Sequence, residues 1–113
     1  VEVDLGSQYM WFYKNGKTLV STPVVTGDTS KGRSTPTGGY YILYKTTNYT
    51  LTGENYASDV DYWLPFTHSG VGIHDASWRS SFGGGIYTYN GSHGCVNMPL
   101  EKAKEIYASK PRR

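Results

Sequence analysis

Residues 8 to 27 read QYMWFYKNGKTLVSTPVVTG, and no other stretch narrows the fold as far. Two runs rich in aromatic and β-branched residues flank Asn15-Gly16, a pair that tolerates the positive φ angles of a type I′ turn. The stretch predicts an antiparallel hairpin. Fourteen glycines and eleven tyrosines, against few leucines and alanines, extend that preference for strands and turns to the whole chain. VEVDL at the start alternates apolar and polar residues, as a half-buried strand does. YYILY (40–44), YWLPF (62–66) and GVGIH (70–74) read as further strands. The polar, aromatic stretch 45–61 reads as a long loop, or as a hairpin folded over something. Residues 27–39 are a polar loop with glycine at each end. Residues 75–91 form a glycine-rich connection carrying Trp78, Tyr87 and Tyr89.

One segment has a helical period. Leu100, Ala103, Ile106 and Tyr107 share a face, and the helix is expected to start near Asn97 or Met98. Asn97 would cap it, with Pro99 in its first turn. At 113 residues the chain is one domain, large enough for a real core. The expected fold is mainly β, with one helix after the loop that holds Cys95.

Composition excludes several function classes. The net charge is only +2, with basic residues scattered, so nucleic acid is not an expected partner. No apolar run approaches the roughly 18 residues of a membrane span. No secretory leader is recognisable, as in a mature fragment. A single cysteine rules out an internal disulfide framework.

That cysteine, Cys95, lies in GSHGCVNMP (91–99). A thiol attacks as its thiolate. A helix starting shortly downstream would favour that form, and Gly94 would leave backbone N–H groups free to face an oxyanion. His74 and His93 are available as general bases. Free cysteine is also among the most buried residue types, but Ser-His-Gly is no core strand. Zinc is the other reading of His74, His93 and Cys95. The His93-x-Cys95 spacing is too tight for the usual site, and no second cysteine exists.

With His74 ending GVGIH, the loop 75–91, and SHGCVN from Ser92 to Asn97, the chain resembles the L,D-transpeptidase (YkuD-type) catalytic domains of bacterial cell walls. Thr26-Gly27 and STPTGG (34–39) match an upstream feature of that family, and the resemblance spans nearly the whole chain. It implies a mixed-strand β-sandwich over residues 1–113, lacking the last strand of that fold. It implies Cys95 as nucleophile, His74 as base, and Ser92 orienting the imidazole through its carbonyl. Gly94 and Cys95 would supply oxyanion-hole N–H groups, with Tyr56 adding a lid hydroxyl. His93, Trp78, Asn97 and Tyr56 would contact substrate, while His68 matches no motif position. The implied reaction forms 3→3 crosslinks, with peptidoglycan tetrapeptide stems as donor and acceptor and carbapenem-type β-lactams as covalent inhibitors. No metal or cofactor is expected. The implied setting is extracytoplasmic, in the wall or anchored through segments outside this chain, and the implied state is a monomer. An L,D-carboxypeptidase would use the same residues with water as acceptor, and a wall-binding module would need neither thiol nor base. A papain-like peptidase would place its cysteine before its histidine, the reverse of the order here.

Overall fold

The computed structural model describes residues 1–14, 16–53 and 56–109. These form two sheets and one helix. β1 (Glu2–Asp4), β2 (Tyr9–Lys14) and β3 (Lys17–Pro23) make an antiparallel three-stranded sheet. Asn15 lies outside the described residues, but Gly16 takes φ 78°, the left-handed value that the predicted turn requires.

The second sheet has the order β4-β5-β6-β7. β4 (Thr46–Gly53) and β5 (Tyr56–Pro65) are the arms of a long hairpin, so of the two readings of 45–61 the hairpin holds. β6 (Gly72–Asp75) pairs antiparallel with β5 and parallel with β7 (Val96–Met98). β6 is buried along its whole length, as expected of a strand covered on both faces.

The helix, α1, runs Leu100–Ser109, later than expected. Asn97 is not its cap, because its backbone is committed to β7 opposite His74. The Pro99 carbonyl instead accepts from Lys102 N and Ala103 N at 3.1 Å each. Ala103 and Ile106 face the core, and Leu100 is 37% exposed. A second departure concerns residues 40–44. Their apolar pattern is real, but they join neither sheet. Leu43 N donates to Pro65 O at 2.8 Å, while Tyr41 points out at 88% exposure.

Met10, Phe12, Val20 and Val24 from the first sheet side meet Leu64, Ile73, Val96 and Met98 from the second, with Ala103 and Ile106 closing one end. The chain leaving β3 crosses between the sheets. Val25 bridges Asn97 and Gly27 bridges Ser92, so the segment around Cys95 is held at the junction. Among the described residues, no helix is long and apolar enough to cross a membrane.

Candidate active site

The parallel register of β6 and β7 builds the site. Ile73 opposes Val96 and His74 opposes Asn97. Ile73 and Val96 point into the core, which turns His74 and Asn97 to the other face. Cys95, one residue before β7, falls beside Gly72. His74, Cys95, Asn97, Ser92, His93 and Trp78 all line one cavity of about 210 Å³. Leu51 and Ser58, cross-strand partners in the β4–β5 hairpin, line it as well. Tyr56 begins β5, but its side chain lies outside the described residues. His68 is exposed and away from this cavity.

The His74 imidazole is 3% exposed. Its ring centre lies 5.9 Å from that of Trp63 on one neighbouring strand and 5.9 Å from that of Trp78 in the following loop. Nδ1 is 2.6 Å from the carbonyl oxygen of Asp75. A carbonyl only accepts, so neutral His74 carries its proton on Nδ1 and keeps Nε2 as the basic nitrogen. Burial lowers its pKa, against the opposing pull of the Asp75 carbonyl and charge. Ser92 does not supply this orientation, contrary to expectation. Its carbonyl accepts from Asp28 N at 2.9 Å.

The thiol is also shifted toward its neutral form. Burial raises the Cys95 pKa, and the Gly72 N–H opposes this in part. The anticipated helix dipole is displaced, because β7 and Pro99 separate Cys95 from the first turn of α1. The resting pair is therefore a thiol and a neutral imidazole. No hydrogen bond joins them among the described residues. Sγ donates to Gly70 O at 3.8 Å instead.

Hydrogen bonds hold the loop before Cys95 from several sides. Ser92 Oγ donates to Cys95 O at 2.5 Å and accepts from Gly94 N at 3.1 Å. Gly94 N–H is thus occupied and unavailable as an oxyanion donor in this state, again contrary to expectation. The Cys95 N–H has no backbone partner among the described residues. Gly94 sits at φ 128°, where a side chain would be strained. Thr35 Oγ1 donates to Gly94 O at 2.6 Å and accepts from Gly27 N at 2.9 Å. Asp28 accepts Gly91 N on one carboxylate oxygen and Ser30 N and Oγ on the other. Thr35 and Asp28 were not singled out from sequence, although Thr35 lies in the STPTGG stretch. Arg79, also missed, lines the cavity beside Trp78.

The L,D-transpeptidase catalytic-domain family model, YkuD, matches residues 1–111. This chain belongs to that family. L,D-transpeptidase 2 of Mycobacterium tuberculosis is 37% identical in an alignment 106 residues long that covers 82% of this chain and 24% of that protein. The crystal structure of an Enterococcus faecium L,D-transpeptidase mutant is similar at TM-score 0.92 and 40% identity, over 97% of this chain and 45% of that one. The NMR structure of the E. faecium catalytic domain acylated by ertapenem gives 0.86 and 41%, over 97% of this chain and 88% of that one. The chain thus spans about a quarter of the curated relative. Within the family fold, the His74 strand and the Cys95 loop line the cavity together with Leu51 and Ser58 of the hairpin.

Proposed function

We propose that this domain is a cysteine acyltransferase that crosslinks peptidoglycan stems. The observation that carries the reading is the convergence of Cys95 and the Nδ1-protonated His74 on one cavity of a transpeptidase-family fold. The Cys95 thiol swings from Gly70 O toward His74 and gives its proton to Nε2. The thiolate attacks the carbonyl of the third residue in a tetrapeptide stem. Negative charge develops on that oxygen, and the Cys95 N–H, which has no backbone partner among the described residues, would be the donor that meets it. The tetrahedral centre collapses, the C–N bond breaks, and the imidazolium gives its proton to the departing D-alanine amine. An acceptor amine then attacks the thioester, His74 takes its proton, and the thiol is released with a 3→3 peptide bond formed.

Asn97 and Trp78 line the cavity and would contact the donor stem. His93, beside them, has its pKa lowered by burial and by the charges of Arg33 and Lys31, so it would meet substrate as a neutral ring. Ser92 acts on the loop rather than on the imidazole. A carbapenem carbonyl would trap the same thiol by ring opening. The ertapenem-acylated E. faecium domain supports that expectation. On this reading the domain would work outside the cytoplasm, where wall stems are crosslinked.

The test is incubation with disaccharide-tetrapeptide, followed by mass spectrometry of products and protein. A crosslinked dimer with loss of one D-alanine supports the transferase. Tripeptide alone would mean that water is the acceptor and the domain is a carboxypeptidase. No product and no β-lactam adduct would leave a binding module.

A further inference from the structure

A second cavity of about 290 Å³ adjoins the catalytic one. The two share Trp78, Arg79 and Asn90 in their linings. Arg79 Nη1 donates to Asn90 O at 2.7 Å. Its Nε is buried and has no hydrogen-bond partner among the described residues. A guanidinium presents a planar fork of donors that matches a carboxylate, and an unmet buried donor is costly. The acid on this side, Asp28, attracts Arg79 only at a distance. Its two oxygens are already taken by Gly91 and Ser30. The surrounding charge is positive. Arg79 acts on His74, and Lys31 and Arg33 act on His93, each opposing protonation of the ring. Trp78 and Tyr89, 52% and 69% exposed, offer aromatic surface beside the cation.

We propose that Arg79 and the adjoining cavity form a subsite for a free carboxylate carried by the donor stem close to the reacting carbonyl. This rests on the transferase reading above and deepens it. The subsite makes the domain selective for stems that bear the acid over stems amidated at the same place. The carboxylate has two possible sources, the side chain of the third residue and the terminus of the departing residue. Either would enter from the cavity that holds Cys95 and reach Arg79 across the shared wall.

The test uses a synthetic tetrapeptide stem whose third residue bears a side-chain carboxylate, and two partners, each amidated at one of the two carboxylates. kcat/KM is measured for the unmodified protein, Arg79→Gln and Arg79→Lys. A charged hydrogen bond at a half-buried site predicts about a ten-fold preference for the acid over one of the amides. That amide identifies the source. Arg79→Gln should bring the ratio near one by losing activity on the acid alone, and Arg79→Lys should keep part of it. An unchanged ratio, or equal losses on acid and amide, would overturn the subsite and leave Arg79 as a brace for the 75–91 connection. Binding is read separately in Cys95→Ala protein, by the NMR shift of the Arg79 Nε–H during titration with the same peptides. If the unmodified protein turns over no peptide, the transferase reading fails. An acid-selective shift would still uphold the subsite, and identical titrations would reject it.

Discussion

Cys95 and His74 are both shifted by burial toward their uncharged forms, and this sets the pH behaviour of the pair. A thiol with a raised pKa, beside a base with a lowered one, does not rest as a thiolate–imidazolium pair. Alkylation of Cys95 by iodoacetamide should therefore titrate with a midpoint above the ordinary thiol value. A midpoint between about 6 and 7 would show the ion pair instead. Acylation by stem or β-lactam needs neutral His74. Because burial depresses that pKa, activity should persist on acidification past the ordinary histidine value of 6.5 and fall only below it. A rate that halves at 6.5 or higher would contradict this. Cys95→Ala should abolish acylation and Cys95→Ser should leave at most a trace, read as adduct mass, since a hydroxyl is far harder to deprotonate. Both residues are legible in the sequence because the motif fixes them. Their protonation is not, because it depends on burial that only the assembled fold supplies.

At the scale of elements, the hairpin around Gly16 and the strands at 62–66 and 70–74 are readable because turn chemistry and short apolar runs are local signals. The start of α1 is not. Asn97 suits a cap by type, but the bridge to Val25 and the pairing with His74 claim its backbone first. Residues 40–44 have the aromatic and β-branched content of a strand, yet no strand among the described residues pairs with them. The loop chemistry is likewise non-local. Thr35 reaches Gly94 across 59 positions. Thr35→Val would leave Gly94 O and Gly27 N without their buried partner, at a cost of about 1–3 kcal/mol each. Acylation should fall by at least ten-fold, while Thr35→Ser, which keeps the hydroxyl, should stay near normal. Equal behaviour of the two variants would remove Thr35 from the support of the loop.

Across the whole molecule, the two sheets share one core closed by α1, so they should unfold together. Ile106, fully buried, belongs to that core from the helix side. Ile106→Ala should cost about 2–5 kcal/mol. Denaturant curves followed by tryptophan fluorescence and by far-UV circular dichroism should still coincide. Separated curves would mean that the sheets are independent. The junction between the sheets has another consequence. A Cβ on Gly27 would overlap Arg33 O, and one on Gly91 would come within 2.5 Å of Asp28 Cα. No single substitution at these positions fits without moving backbone, so a lineage has almost no stepwise route to reshape the wall that carries the thiol. Leu51 and Ser58 line the same cavity from the hairpin and already carry side chains there. Divergence among relatives in what they accept should therefore be written on the hairpin side and remain nearly silent on the other.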